Sequence, residues 1–227
     1  MVKRRSDSPQ LGKADEPDGK PTVFVVEDDI SMRRSLTNLF RSIGLNVLAF
    51  ESAQEMLQNK LPQVTSCLVL DIRLPGQSGL ELQNELSKQN IHIPIIFITA
   101  HGDIPMTVKA MKRGAVDFLT KPFREQDLLD AVVAAIERDR KRREAEKTAA
   151  SLQSLFDRLT VREQEVLKLV AAGLMNKQIA AELKLAEITV KIYRGQMMKK
   201  MGARSVADLI RMAERLGISA NRDGQQT

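Results

Sequence analysis

Apolar runs in the first half of the chain repeatedly end on a polar residue. Val23-Phe24-Val25-Val26 leads into Glu27-Asp28, and Cys67-Leu68-Val69-Leu70 leads into Asp71. Ile95-Ile96-Phe97-Ile98 leads into Thr99, and Ala115-Val116-Asp117-Phe118 runs on to Lys121-Pro122. Runs this short, unbroken by polar residues, suit strands buried on both faces. The pattern predicts strands near 22–26, 46–49, 67–70, 94–98 and 115–118, with helical periodicity between them and after the last. Pro105 suits the first turn of the fourth helix, where its missing N–H costs nothing. Alternation of this kind predicts an α/β doubly wound, five-stranded parallel sheet covered on both faces. In such a sheet the C-terminal strand ends share one edge, where ligands bind. Carboxylates, a hydroxyl and an ammonium gathered there suit Mg²⁺ and a phosphoryl group.

The fifth helix begins near Glu125 and buries Leu128, Leu129, Val132, Val133 and Ile136; then its apolar stripe stops. Residues 137–147 hold six basic and four acidic side chains and otherwise only Ala145. Glu137/Lys141 and Asp139/Arg143 have the i,i+4 spacing that supports a helix. The expectation is a charged helical linker over 136–155, solvated on all sides.

Beyond it the pattern is wholly helical. Thr160-Val161-Arg162-Glu163 is a capping box, and Gly173 closes that helix. Asn176 is placed to cap a second helix, and a tight turn at Lys184-Leu185-Ala186 leads to a third, Glu187 to Met201. A fourth runs from Ser205 to Gly217. The second and third form a helix-turn-helix candidate. At 100° per residue, Val190, Tyr193, Met197 and Met201 fall on the inner side of the third helix. Ile188, Lys191, Ile192, Gly195 and Lys199 fall on the other. That mixture of basic, small and apolar groups suits a helix lying in a DNA major groove. Thr189, Arg194, Lys199 and Lys200 are better placed for phosphates.

Charge changes the picture in one respect. From Pro21 to Asp130 there are 11 basic and 13 acidic residues, a net of −2; from Ala131 to Thr227 there are 19 and 12, a net of +7. Only the second half is therefore expected to meet a polyanion. The single Cys67 excludes an intramolecular disulfide and fits a reducing compartment. No apolar run approaches the ~18 residues of a spanning helix. The first 20 residues read as a disordered leader without a signal-peptide core, and 219–227 as a disordered tail. These features predict a cytoplasmic protein without membrane contact. His92 and His101 are too few for a histidine metal cluster, and His101 reads as a loop residue.

With Glu27-Asp28, Asp71, Thr99 and Lys121 in this order, residues 21–135 resemble a response-regulator receiver domain of the flavodoxin-like fold. The resemblance implies Asp71 as phospho-acceptor toward a sensor histidine kinase and Mg²⁺ bound by Asp28 and Asp71. Glu27 would support the metal, and the Arg73 backbone carbonyl would complete the protein ligands. Thr99 would hydrogen-bond the phosphoryl group, Lys121 would pair with its charge, and Thr99 and Phe118 would form the switch. Glu27 stands where the family commonly has Asp, and Phe118 where it often has Tyr.

Residues 156–218 resemble the all-α, four-helix DNA-binding domain of the LuxR/NarL/FixJ family. Leu159-Thr160, Arg162-Glu163, Asn176-Lys177, Ile179-Ala180, Thr189-Val190-Lys191 and Arg194 carry that resemblance. Ala186 replaces the usual Ser cap, Tyr193 the common His, and Gly195 a side chain that often meets bases. Together the two halves imply a two-component transcription factor of the FixJ branch, not an enzyme. It would bind promoter double-stranded DNA as an activator, meet RNA polymerase and form a homodimer on phosphorylation. Two alternatives stand beside this reading. A haloacid-dehalogenase-type hydrolase would need a second Asp where Arg73 stands. An output domain that binds protein rather than DNA would lack salt-dependent duplex binding.

Overall fold

A computed structural model describes residues 19–100 and 104–218. The expected leader (apart from Gly19 and Lys20), the tail and the His101 loop lie outside the described residues. The first unit contains β1 (Thr22–Val26), α1 (Ile30–Ser42), β2 (Asn46–Phe50), α2 (Ala53–Gln58) and β3 (Ser66–Asp71). It continues with α3 (Gly79–Lys88), β4 (Ile95–Thr99), α4 (Ile104–Lys112), β5 (Asp117–Thr120) and the start of α5 (Glu125–Asp157). All strand pairs are parallel, in the order β2-β1-β3-β4-β5. That order puts its topological switch between β1 and β3.

Strand residues alternate between two apolar layers, as a period of two requires. Phe24, Val26, Leu68, Leu70 and Phe97 face Met56, Leu82, Leu86 and Ala110 from α2, α3 and α4. Val23, Val25, Val69, Ile96 and Ile98 face Leu36, Phe40, Leu128, Val132 and Ile136 from α1 and α5. Cys67 lies in this second layer, and burial pushes its thiol well above the usual range. It is a packing residue.

Two expectations for the first unit need correction. β5 starts at Asp117 rather than near 115, because the Ala115 N–H donates to Ala110 O at 3.2 Å. Ala115 thus closes the end of α4, and contact with β4 begins only where Val116 N–H reaches Ile95 O at 2.7 Å. The second correction concerns the charged stretch. It is helical, within α5, and the expected Glu137–Lys141 pair is present at 3.5 Å. It is not solvated on all sides, for Asp139 is fully buried. Its Oδ2 accepts from Ser66 N–H at 2.9 Å, at the start of β3, and its Oδ1 receives Arg142 Nε and Nη2 at 3.1 and 2.7 Å. The helix therefore stays docked for a turn beyond Ile136.

The second unit contains the end of α5, then α6 (Val161–Ala171), α7 (Asn176–Leu183), α8 (Glu187–Met201) and α9 (Val206–Arg215). Its core gathers Val166, Leu167, Ile179, Val190, Met197 and Leu209. It also takes in Leu152 from α5, so this core begins earlier than residue 156. Thr160 and Glu163 cap α6 reciprocally. The cap position of α7 is Met175, not Asn176: the Met175 N–H is taken by Gln178 Oε1 at 2.8 Å. Asn176 is used elsewhere.

Replacing Asp139 by Ala should strand the Ser66 N–H and remove two bonds from Arg142, costing about 2–3 kcal/mol as a charge-assisted buried contact does. Urea unfolding of wild type and variant measures it. An unchanged midpoint would show the contact to be energetically idle.

Candidate phospho-acceptor site and nucleic-acid interface

The acidic edge is assembled by the strand register. Leu70 pairs with Val26, and Asp71 with Ile98, so Glu27, Asp71 and Thr99 leave the sheet at nearly one level. Glu27, Asp71 and Thr99 are buried, while Asp28 is exposed. Carboxylate oxygens of Glu27, Asp28 and Asp71 lie within 4.8 Å of one another. Lys121 bridges two of them, its Nζ 2.7 Å from Glu27 Oε2 and 2.6 Å from Asp71 Oδ2. Burial pushes the Glu27 carboxyl above its ordinary range despite the pull of Lys121. Burial alone would lower the Lys121 ammonium, yet its bonds to Asp71 and Glu27 outweigh that and hold it above the usual lysine value. Lys121 is the more exposed partner and faces two carboxylates, so its charge is the better supported.

Backbone groups fix the rest. Arg73 N–H donates to Asp71 Oδ1 at 2.9 Å and so orients the carboxylate. Gly79 N–H bonds Ile72 O at 3.0 Å. A Cβ at Gly79 would lie 2.4 Å from Asp71 O, so only glycine lets α3 start this close to the end of β3. Arg33 Nη1 donates to the carbonyls of Glu27 and Asp28 at 2.5 and 2.9 Å. Sequence reasoning missed Arg33; it lies one turn into α1 from the acidic pair, a spacing that carries no specific signal. Phe118 is half-buried against the Phe24–Phe97 layer, paired in register with Phe97.

An oxygen-only donor set of this size suits a hard divalent cation. Glu27, Asp28 and Asp71 fit one, and the half-buried Lys121 already brings positive charge to the pocket.

In the second unit, α8 presents Ile188, Lys191, Ile192, Gly195 and Lys199 to solvent, while Val190, Met197 and Met201 are buried and Tyr193 is half-buried. Nothing lies within 4 Å of a Cβ built at Gly195. Gln196 shares the exposed face, one turn after Ile192, and was not anticipated; its side chain can read adenine. Thr189 is half-buried at the helix start. Two residues expected to meet phosphates also make bonds within the unit. Arg194 Nη1 donates to Asn176 Oδ1, tying α8 to α7. Lys200 Nζ donates to Glu163 Oε2 at 2.6 Å, and Glu163 is 1 % exposed. Glu163 thus completes the Thr160 cap and anchors α8 together.

Comparison with known proteins agrees with both halves. Residues 23–133 match the response regulator receiver domain, and residues 157–213 match the luxR family of bacterial regulatory proteins. Over 210 residues the chain is 75 % identical to nodulation protein W of Bradyrhizobium diazoefficiens, covering 92 % of each chain. The chain belongs to the FixJ-like, LuxR-family response regulators. The solved structure of response regulator StyR superposes with a TM-score of 0.79 at 53 % identity, covering 87 % of this chain and 100 % of that one. Full-length FixJ from B. japonicum gives a TM-score of 0.53 at 38 % identity, over 87 % and 97 %. As a FixJ-like regulator the protein is a two-component transcription factor, not an enzyme. Its receiver implies a histidine-kinase partner and its luxR-type domain implies DNA. None of its described helices is long and apolar enough to cross a membrane.

Burial raises the Glu163 carboxyl, but Lys200 and the Thr160 cap outweigh it and hold the acid below its ordinary value. A lowered folded value stabilises at neutral pH, and that contribution is lost as pH falls through it. Lys200→Met should therefore cost roughly 1–2 kcal/mol at neutral pH, an estimate reduced because the ammonium is partly in water. The gap from wild type should narrow as the pH drops below 4.5. Unfolding midpoints across that range check it, and a gap that widens in acid would contradict the assignment.

Proposed function

We propose that Asp71 accepts a phosphoryl group from a phosphohistidine of a sensor kinase, and that this modification governs promoter binding through α8. The observation that carries the reading is Asp71 at the end of β3, 2.6 Å from Lys121 and clustered with Glu27 and Asp28. An Asp71 carboxylate oxygen attacks phosphorus in line, the P–N bond to the histidine breaks, and an acyl phosphate forms. Asp28, Asp71 and the Arg73 carbonyl would hold Mg²⁺, with Glu27 in support. Bound Mg²⁺ would offset charge on the equatorial oxygens. Lys121 would turn from the carboxylates to the new phosphoryl oxygens, and the Thr99 hydroxyl would reach a third side of it.

That shift supplies the differential contact a two-state surface needs. Thr99 would move toward the phosphoryl group, and Phe118 would follow into the space behind it, remodelling the face of α4 and β5. Ile104, Val108 and Met111 already expose apolar surface on α4, which supports homodimerisation there. Two copies would then present two α8 helices to two half-sites. Activation with RNA polymerase, in the cytoplasm, completes the reading.

With a small phosphodonor, Asp71→Asn should abolish labelling, since the amide keeps the shape but loses the anionic nucleophile. Asp28→Asn should weaken it, and chelation of Mg²⁺ should suppress it. In the same samples phosphorylation should shift sedimentation toward a dimer. Equal labelling of Asp71→Asn and wild type would sink the assignment.

DNA reading should depend on the exposed face of α8. Lys191→Ala should cost about 1–3 kcal/mol of specific affinity if its contact is to a guanine edge. Duplex titrations at several salt concentrations separate that loss from a general loss of phosphate contacts. Unaltered operator affinity and preference would remove α8 from the interface.

A further inference from the structure

At the opposite edge of the receiver, beside the start of β4 and the turn before β5, lies a cavity of about 370 Å³. Its walls combine three features that phosphorylation chemistry does not use. Leu86, Ile91 and Ile95 give it an apolar side. Arg113 just beyond α4, Arg138 and Arg142 from α5, and His92 also line it, with no acidic residue in the lining. Arg142 is engaged by the buried Asp139. Arg113 and Arg138 have no acid partner among the described residues.

The third feature is Gln83, which is 4 % exposed and lines the cavity. Its Nε2 faces two carbonyls, Ala110 O at 3.5 Å and Arg113 O at 3.4 Å, which settles how the amide points. Its Oε1 is then buried with no donor. A buried acceptor without a donor is costly, and each such atom in a folded protein asks for a partner. Unpaired guanidiniums around a concavity likewise ask for an anion, and planar carboxylates suit them.

We propose that this cavity binds a small organic anion carrying an O–H or N–H donor, of the hydroxylated-carboxylate class. The carboxylate would lie against Arg113 and Arg138 and the carbon body against Leu86 and Ile91; a small outward turn of the Gln83 amide, whose Nε2 contacts are long at 3.4 and 3.5 Å, would bring its buried Oε1 onto the donor. The volume is within the range of small-molecule sites. Such a ligand links the end of α4 to the α5 segment that Asp139 docks. It is a chemical input to the receiver that is separate from Asp71 and does not depend on the phosphorylation reading.

The probe is 4-hydroxybenzoate, titrated into the full-length protein by calorimetry and by nitrogen-15 NMR of the Gln83 side-chain amide. Saturable binding with movement of that amide is expected. Benzoate, which lacks the donor, should bind several-fold more weakly, and neutral 4-hydroxybenzyl alcohol should not saturate. Arg113→Ala with Arg138→Ala, both exposed and so compatible with folding, should weaken binding about tenfold or more, as loss of charge-assisted contacts does. Gln83→Met should erase the preference over benzoate; should that variant unfold, the arginine pair and the ligand series decide alone. Three results would overturn the proposal. One is no saturation, and another is unchanged affinity in the arginine variant. The last is inorganic phosphate binding as tightly as the probe, which would leave the apolar wall without a role.

Discussion

Glu27 and Asp71 lie buried side by side at the edge of an apolar sheet, with Asp28 close by, and such a cluster calls for a counter-charge. Lys121 supplies it, and its position explains much of the receiver. The ammonium reaches Glu27 and Asp71 only because β5 ends beside β4, β4 beside β3, and β3 beside β1. A slip of one residue in any parallel pair would send a polar end group to the other face of the sheet. The two apolar layers prevent that slip, since every slip would also turn Phe24, Leu68 or Phe97 out of its layer. Core packing and site chemistry are thus one constraint expressed twice.

Much of this was legible in the sequence, and the reasons are physical. Buried parallel strands write themselves as unbroken apolar runs, and their polar end groups stand out against that background. The faces of α8 were legible for a similar reason, because Val190, Met197 and Met201 recur at helical spacing and are buried. What escaped was whatever depended on contacts distant in sequence. Asp139 reads as one of ten charges in a solvated stretch, yet it meets Ser66, 73 residues away. Arg194 and Lys200 read as cations for phosphates, and nothing in the sequence signals the bonds they also make to Asn176 and Glu163. Asn176 looked like a cap because Asn is a good one; its side chain reaches across to α8, and Gln178 meets the helix start in its place. The need for glycine at Gly79 was not legible, since a steric limit set by Asp71 O has no sequence signature.

The two units differ in how they use buried acids. In the receiver Glu27 and Asp71 share one lysine, an arrangement that a phosphoryl group can disturb because it competes for the same ammonium. In the helical unit Glu163 has its own lysine and a cap to complete, so nothing in its chemistry invites exchange. One is poised and the other is braced, although both are carboxylate–ammonium pairs of almost equal length.

The bracing of α8 has a consequence for anyone who wishes to retarget the protein. Arg194 and Lys200 fasten α8 to its neighbours, and this helix transplanted without Asn176 and Glu163 would arrive without those fastenings. Ile188, Lys191, Ile192 and Gln196 project from the same helix with no such obligations among the described residues. On the proposed reading, those four positions could be rewritten to change what the helix recognises while the frame that holds it stays untouched.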